Sequence, residues 1–187
     1  MNRPTYHHGD LRAVILNEAA RLVAERGADQ VSLRELARDA GVSHAAPAHH
    51  FTDRRGLFTA LATQGFQLLA EALVDARPQF ADAALAYVRF AIDHPGHYQV
   101  MFHKSLLDTS DAELAAAEAA AAAELARGVA TLRDPNATAD PTGAQLAAWS
   151  LVHGFSMLWL NDAVNPQVRE ADPMETVMRI ATMLFEG

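Results

Sequence analysis

The sequence predicts an all-α protein of about nine helices, on the evidence of its apolar spacing and its composition. Apolar residues recur three and four positions apart along almost the whole chain, and no segment alternates with period two for long. Hydrophobic residues make up 50% of the 187 residues, and many of them are alanine, the strongest helix former. We expect an N-terminal three-helix domain over residues 1–55 and a second helical domain over residues 56–187.

The composition narrows the class of protein. The chain has no cysteine, which excludes disulfides and thiolate metal sites and suits a reducing cytoplasm. It has no window of ~18 uninterrupted apolar residues, and its first residues lack the apolar segment of a secretory signal. We therefore expect a cytoplasmic protein with no membrane partner.

The formal charge of −8 is unevenly distributed. Residues 1–55 contain eight arginines, seven acidic residues and five of the nine histidines, a net charge of +1. Residues 56–187 contain seven basic and sixteen acidic residues, a net charge of −9. The acidic total does not exclude a nucleic-acid partner, because the N-terminal part can approach a polyanion locally.

The first two helices have clear ends. An apolar stripe defines the first helix, and Gly27 ends it. In the segment SLRE, Ser32 and Glu35 form a capping box that begins a short second helix, which Gly41 ends. The stripe of the first helix consists of Leu11, Val14, Ile15, Ala19, Leu22 and Val23.

The third helix contains a proline. Ser43 is the predicted N-cap of a helix over residues 44–50, and Pro47 is tolerated there because its missing N–H falls near the helix start. Thr52 or Asp53 is then expected to cap a long, apolar fourth helix.

Prolines and capping residues mark the later helices. We expect Pro78 to open the fifth helix and Pro95 to open a sixth over residues 96–107. Ser110 and Glu113, in the segment SDAE, form a capping box before an alanine-rich helix that extends to about residue 132.

The last part of the chain contains one long predicted loop. The segment RDPNATADPTG (residues 133–143) is rich in turn-forming residues. Thr142 and Gln145 form the next capping box, and Asp172, followed by a proline and an acid, begins the last helix.

Two short helices separated by a tight turn at residues 40–42 form a predicted helix-turn-helix. In this motif the second helix enters the major groove of DNA with its N-terminal residues toward the bases. Its sequence, GVSHAAPAHHF, contains no acid. Ala45 and Ala46 would let the backbone approach base edges, and His44 and His49 could donate hydrogen bonds to bases or phosphates.

The segment VSLRELARDAGVSHAAPAHHFTDRRGLFTAL resembles the N-terminal domain of tetracycline-repressor-like (TetR-family) transcriptional regulators, and the resemblance covers residues 10 to about 75. YHHGDLR, GVSHAAP, HPGHYQVMF and WSLVHG are similar to blocks of one subgroup, whose C-terminal domain has a Trp…His-Gly signature, here Trp149 to Gly154. The resemblance implies an all-helical homodimer that binds an operator and releases it when a small molecule occupies the C-terminal domain.

The resemblance also implies DNA contacts, position by position. Arg34 would make a bidentate contact with guanine, worth roughly 1–3 kcal/mol of base discrimination. Family members usually have tyrosine where this chain has Ala48, so its contact pattern and affinity are expected to differ. Base edges are expected near Arg34, His44, Ala45 and His49, and phosphates near Ser32, Ser43, Ala46, His50 and Arg54.

Plainer interpretations remain open for some of these residues. The three histidines of the third helix could bind a metal, but adjacent histidines on a helix point about 100° apart and no H-E-x-x-H pattern is present. Neither a metal site nor a cofactor is therefore expected. His50 could be an ordinary surface histidine, and Arg34 could pair with Asp10 or Asp39.

One stripe of the penultimate helix has two interpretations. Trp149, His153, Met157 and Leu160 lie on one face and could simply pack in the core. They could instead line a cavity for an unknown small-molecule effector, with His153 as a polar anchor in an apolar site. The predicted effector site consists of Phe90, Tyr98, Met101, Phe102, Trp149, His153 and Met157.

The last two helices are also the predicted dimer interface. The opposite face of the penultimate helix (Leu151, Phe155 and Leu158) and the last helix are apolar too. A helix that is apolar nearly all round must bury both sides. We therefore expect the last two helices of two chains to form a four-helix homodimer interface.

These observations predict a sequence-specific DNA-binding transcriptional regulator. We expect a ligand-responsive repressor that acts as a homodimer on a palindromic operator, in successive major grooves ~34–36 Å apart. An enzyme with His153 as its base is a rival hypothesis, but the sequence has no Ser-His-Asp spacing and no glycine-rich phosphate loop, so no enzyme is expected. The other alternative is an all-helical interaction or ligand-binding protein in which Ala48 has weakened DNA binding.

Overall fold

The structure, a computed structural model, describes residues 8–76 and 80–185. Within these ranges it contains eleven α-helices and no strand, so the predicted all-α class is confirmed. The predicted count of about nine is exceeded by two short helices, α8 and α10. The helices are α1 (His8–Arg26), α2 (Leu33–Asp39), α3 (Ala46–Phe51), α4 (Arg54–Asp75), α5 (Phe80–Asp93), α6 (Pro95–Met101), α7 (Ala112–Val129), α8 (Pro135–Ala139), α9 (Pro141–Leu160), α10 (Pro166–Arg169) and α11 (Pro173–Phe185).

The chain forms two compact units, and each combines two segments of sequence. The first unit contains the residues up to Gly65 together with His94–Ala116. The second unit contains Phe66–Asp93 together with the residues from Ala117 onward. Both α4 and α7 therefore contribute residues to the two units. The domain boundary predicted after residue 55 stays a prediction.

The core of the first unit lies where α1 meets α2, α3 and α6. The backbone of α6 approaches α1 very closely, since a Cβ atom on Gly96 would lie 1.9 Å from the carbonyl oxygen of Ala20. Only glycine permits this approach without movement of one helix. Side chains that are almost fully buried here include Ile15, Leu22, Leu36, Phe58, Tyr98 and Met101.

In the second unit α5 packs against α9 and α11, and α8 packs against α9. Its core is formed by large apolar side chains of these helices, among them Val88, Phe90, Val152, Phe155, Trp159 and Val177. Elsewhere, α4 has the length and composition of a membrane-spanning helix, but 56% of its most apolar window is buried inside the protein. A core helix of a globular protein has the same properties, so α4 is weak evidence for a membrane span.

Several predicted helix ends are confirmed. Ser32 Oγ accepts the N–H of Glu35 at 3.2 Å at the start of α2. Gly27, with φ of 81°, follows α1 and donates its N–H to the carbonyl of Val23. Asp53 Oδ1 accepts the N–H of Gly56 at 2.8 Å and caps α4. At the last helix, Asp172 accepts the N–H groups of Met174 and Glu175.

The predicted start of α3 is wrong. The helix begins at Ala46, with Ala45 rather than Ser43 in the N-cap position. A helix capped by Ser43 would need an N–H on residue 47 to reach the Ser43 carbonyl, and Pro47 has none. The N–H of Ala46 donates to that carbonyl at 3.0 Å instead. This tighter turn precedes the helix, which therefore begins at Ala46.

Two further predicted caps are wrong because an aspartate takes the capping position in each case. At α7, Asp111 Oδ1 accepts the N–H of Leu114 at 2.8 Å, whereas Ser110 donates to Asp108. At α9, Asp140 Oδ1 accepts the N–H of Gly143 at 2.9 Å, so the helix begins before the predicted box. Aspartate caps a helix as well as serine or threonine does.

Two predicted segments have different lengths in the structure. Residues 133–143, predicted as a loop, include α8, in which Pro135 occupies the first turn. The helix predicted over residues 96–107 ends at Met101 and is followed by a 3₁₀ turn at Lys104–Leu106. Pro78, the predicted start of the fifth helix, lies outside the described residues.

Candidate nucleic-acid interface

The helices α2 and α3 are locked together by a buried contact and a tight turn. Leu36 and Ala37 are fully buried, and Phe51 at the end of α3 is 5% exposed. Gly41 has φ of 66°, a conformation that favours glycine, and Val42 donates its N–H to the carbonyl of Ala37 at 2.9 Å. This packing fixes the direction of α3 and is the geometry of a helix-turn-helix.

One face of α3 and of the turn before it is exposed and contains no acidic residue. His50 is half-buried, and Ala46, Pro47 and Phe51 face the core. The predicted base-contacting residues of this segment are all part of the exposed surface, together with Ala48. We call this surface the α3 face; it consists of Ser43, His44, Ala45, Ala48 and His49.

The predicted phosphate contact of Ala46 stays a prediction, and the burial of this residue does not favour it. Its side chain belongs to the core, with 9% exposure, and its N–H is already bonded to the carbonyl of Ser43. The late start of α3 turns this alanine inward, a consequence of Pro47 that the spacing alone did not show. Ser32, at the start of α2, is exposed and remains a predicted phosphate contact.

Arg34 projects from the first turn of α2 and is exposed. The acidic residues near it form ion pairs with other arginines: Glu35 pairs with Arg26 at 2.8 Å, and Asp39 pairs with Arg38 at 3.1 Å. No residue within the described side chains forms an ion pair with Arg34. Among these side chains nothing occupies its guanidinium, and the side chain of Asp10, the other predicted partner, lies outside the described part of the chain.

Arg54 has a structural role. Its Nε donates to the carbonyl of Val31 at 3.1 Å and its Nη2 donates to the carbonyl of Ala28 at 2.8 Å. The guanidinium also lies 4.8 Å from the centre of the Phe58 ring. Arg54 thus ties the start of α4 to the segment between α1 and α2, and its predicted phosphate contact stays a prediction.

A strained turn joins α3 to α4. Thr52 has φ of 66° and ψ of −60°, and the N–H of Asp53 donates to the carbonyl of Phe51 at 2.7 Å, which together define a γ-turn. A β-branched residue in this conformation costs on the order of 1–3 kcal/mol. On the other side, the guanidinium of Arg12 lies 5.2 Å from the centre of the Phe51 ring. No sequence pattern predicts this turn, because Thr52 and Asp53 are recognisable only as candidate caps.

The residues of the predicted effector site are divided between the two units. Phe90, Trp149, His153 and Met157 belong to the second unit, whereas Tyr98, Met101 and Phe102 belong to the first. Tyr98 and Met101 are each 1% exposed and form part of the core of the first unit. The assignment of Tyr98, Met101 and Phe102 to one effector site with the other four residues therefore has no support within either unit.

A polar pair in the second unit was missed by the sequence analysis. The hydroxyl of Tyr87 in α5 lies 3.0 Å from Nδ1 of His153 in α9, within hydrogen-bond distance. The Trp149 ring lies 5.5 Å from the His153 ring, and burial lowers the pKa of His153. Tyr87 precedes Phe90 by one helical turn, and that spacing could have identified it.

The apolar residues of α9 differ in exposure. Phe155, on the face opposite Trp149 and His153, is 6% exposed and lies in the core. Met157, assigned to the effector site, is 39% exposed, and Leu146 and Leu158 are 59% and 51% exposed. A helix that is apolar on all sides gives no sequence signal for which side faces the core. Across the part of the chain with described side chains, no cluster of His, Asp or Glu could hold a metal ion.

Comparison with known proteins agrees with this geometry. Residues 80–184 match the family described as tetracyclin repressor-like, C-terminal domain. The chain belongs to the TetR family. Residues 15–61 also match the bacterial regulatory proteins of the tetR family, and this match includes α2 and α3. The family prediction is confirmed, and the Trp…His-Gly subgroup stays a prediction.

Two relatives of this TetR-family chain have a named role, and both are transcriptional repressors. The HTH-type transcriptional repressors Rv1474c of Mycobacterium tuberculosis and AcnR of Corynebacterium diphtheriae are 39% and 38% identical to it over 64 residues. That match spans about a third of the chain and of each relative (34%). A Rhodococcus sp. RHA1 protein of unknown function is similar over 98% of this chain and 97% of its own, with 34% identity and a TM-score of 0.74.

Proposed function

We propose that this chain is a cytoplasmic, ligand-responsive transcriptional repressor that binds a palindromic operator as a homodimer. The observation that supports DNA binding best is the α3 face, which is exposed, free of acids and composed of small side chains and imidazoles. Such a surface can approach base edges closely, and a methyl group can contact the methyl group of thymine. Family membership places the helix-turn-helix in the class of DNA-binding regulators.

The proposed contacts follow from exposure. Arg34 donates to the O6 and N7 atoms of a guanine, while His44, Ala45 and His49 lie near neighbouring base edges. Ser32, Ser43 and His50 lie near phosphates, which position the protein without specifying sequence. Ala48 is exposed beside His49, so the position that usually holds a tyrosine contributes only a methyl group.

The proposed dimer interface is the exposed apolar side of α9 with the neighbouring part of α11. α9 contains no charged residue in its twenty positions. Leu146, Met157 and Leu158 of α9 are exposed, and Met183 of α11 is 70% exposed. Leu146 and Met157, about three helical turns apart, lie on one side of α9. Exposed apolar side chains along one side of a helix suit a protein contact. Two chains related by a twofold axis would present α3 to successive major grooves ~34–36 Å apart.

The proposed regulation requires an effector that binds one conformer more tightly than the other. Equal affinity for both conformers would leave their populations unchanged. The second unit is the proposed effector-binding unit. α4 begins directly after the γ-turn at Thr52 and contributes residues to both units, so it is the proposed connection.

A mobility-shift assay on the promoter region beside the gene tests this function. We expect sequence-specific retardation whose affinity falls steeply with salt, since phosphate contacts release counterions. Arg34→Ala should lose roughly 1–3 kcal/mol of base discrimination. Arg21→Ala is the matched control, because Arg21 is an exposed arginine of α1 that pairs with Glu18 and Glu25.

Two results would contradict the proposal. Absence of specific retardation for any fragment would favour the alternative of an interaction protein with weakened DNA binding, which the exposed Ala48 makes reasonable. Unchanged base preference in Arg34→Ala would show that this arginine does not contact bases. Arg54→Ala should weaken binding to all sequences alike, because it loosens the support of α4.

A further inference from the structure

Ser156 in α9 has an unusual environment. Its side-chain oxygen is buried and has no hydrogen-bond partner among the residues that the structure describes, and the residue is 0% exposed. Buried polar groups are nearly always hydrogen-bonded, so a hydroxyl of this kind needs an explanation. One explanation is a ligand that supplies the missing partner.

The position of Ser156 relative to other polar groups supports a ligand. Ser156 follows His153 by three residues, so their Cβ atoms are neighbours on one side of the helix. His153 is half-buried and lies against the hydroxyl of Tyr87 at 3.0 Å. Trp149, one turn earlier, is 38% exposed and lies beside the His153 ring. The exposed fraction of these side chains therefore decreases from Trp149 through His153 to Ser156, from the surface of the second unit to its interior.

The electrostatics of this region restrict the chemistry of the ligand. Tyr87 and Ser156 have neutral hydroxyls, and burial lowers the pKa of His153, which favours the neutral form of its imidazole. The charged residues of α5 and α11, the helices that pack with α9, are exposed, and the buried Glu124 of α7 is paired with Arg127. Arg169, whose guanidinium lies 4.5 Å from the centre of the Trp159 ring, is already paired with Asp162. A charged ligand would therefore lose its hydration without gaining an unpaired countercharge. The exposed residues are Asp82, Arg89, Asp93, Glu175 and Arg179.

We infer that the α5–α9 interface binds an uncharged, largely apolar molecule with one hydrogen-bonding oxygen, and that Ser156 and the Tyr87–His153 pair bind that oxygen. This inference rests on the proposed role of the second unit in effector binding. It selects phenols, ketones, esters and alcohols with a lipophilic body, and it excludes carboxylates, phosphates and ammonium compounds.

Calorimetric titration of the full-length protein tests the inference with two probes of similar size. 1-Naphthol has a neutral hydroxyl, and 1-naphthoate has a carboxylate on the same ring system. We expect 1-naphthol to bind at least tenfold more tightly than 1-naphthoate. Ser156→Ala should weaken 1-naphthol binding at least fivefold without lowering the melting temperature, since it removes an unpartnered hydroxyl. Ser150→Ala, on an exposed position of the same helix, is the matched control and should change neither quantity.

Three results would overturn the inference: no binding of 1-naphthol, equal affinity for 1-naphthoate, or unchanged 1-naphthol affinity in Ser156→Ala. A mobility-shift assay without any probe separates this outcome from failure of the proposed function. Operator binding that persists while 1-naphthol fails to bind contradicts only the effector class. Tight 1-naphthol binding to a protein that retards no DNA contradicts only the proposed repressor.

Discussion

The backbone N–H of Asp108 donates a hydrogen bond to the hydroxyl of Thr59 at 2.9 Å. Thr59 is 4% exposed, and its hydroxyl in turn donates to the carbonyl of Arg55 at 2.8 Å. The second turn of α4 is therefore fastened to the loop before α7, within the first unit. The carboxylate of Asp108 accepts two hydrogen bonds from Ser110, which lower its pKa and order the same loop.

Substitution of Thr59 should show what this hydrogen bond contributes. Thr59→Val keeps the shape and leaves the N–H of Asp108 without its acceptor, so we expect a loss of about 1–3 kcal/mol in the free energy of unfolding. Thr63→Val is the matched control, because Thr63 is also buried in α4 but donates only to the carbonyl of Thr59 in its own helix. Equal losses in the two variants, measured by urea unfolding, would show that the loop contact contributes nothing.

Gly96 should tolerate no side chain. A Cβ atom would lie 1.9 Å from the carbonyl oxygen of Ala20, so Gly96→Ala must push α6 away from α1. We expect a loss of about 1–3 kcal/mol, typical of overpacking, in thermal or urea unfolding. Gly128→Ala is the control, since its Cβ would meet Phe80 at an ordinary 3.5 Å. A Gly96→Ala protein as stable as this control would contradict the close approach of the helices.

Acid should destabilise the protein through His97. Burial, with a smaller effect of the neighbouring His94, lowers the pKa of His97 to about 4. In the unfolded chain the pKa is about 6.5. Between these values the unfolded state binds a proton that the folded state does not, so the contribution of His97 to stability is complete above pH 6.5 and lost as the pH falls toward 4. The loss is on the order of 3 kcal/mol at the acid end of this window.

Unfolding free energies measured from pH 7 to pH 4 test this expectation. Oε1 of Gln64 lies 3.0 Å from Nε2 of His97, and His97→Gln keeps a hydrogen-bond partner for it. This variant should flatten the pH dependence of the unfolding free energy. His103→Gln, at an exposed histidine of the same unit, should leave the dependence as it is. An identical slope in both variants would assign the acid sensitivity to other groups.

Charge on the exposed side of α9 should separate the subunits. Leu158 is 51% exposed, so Leu158→Glu should leave the folded chain intact but place a carboxylate in the proposed dimer interface. We expect sedimentation velocity to show monomers at micromolar concentration, with the wild type dimeric. Ala119→Glu, on an exposed position of α7, should remain dimeric. A dimeric Leu158→Glu protein would place the interface elsewhere.

The features that the sequence predicted well depend on contacts between near neighbours. Ser32 and Asp53 cap their helices through hydrogen bonds to residues three positions on, and such spacing is visible in a sequence. α3 was harder, because Ser43 is a good cap by type and only the absent N–H of Pro47 moves the helix start. The choice between two competing local signals needs the full backbone geometry.

Distant partners could not be predicted. Tyr87 and His153 are 66 residues apart, and Arg54 bonds to a carbonyl 23 residues earlier. Apolar periodicity shows that α5 and α9 have buried faces but not which residues meet. For the same reason the sequence does not show that Tyr98 and Met101 belong to a different unit from Trp149.

The packing of α6 on α1 has a consequence for synthesis of the chain. The N-terminal helices leave the ribosome first. Gly96, whose close approach to Ala20 completes their core, emerges 45 residues after Phe51, the last residue of α3. In the meantime Phe66–Asp93 has also emerged, and its own partners from Ala117 onward have still to be translated. The nascent chain therefore exposes apolar surface until late in elongation. Its yield in the cell should depend on chaperones that bind nascent chains at the ribosomal exit tunnel.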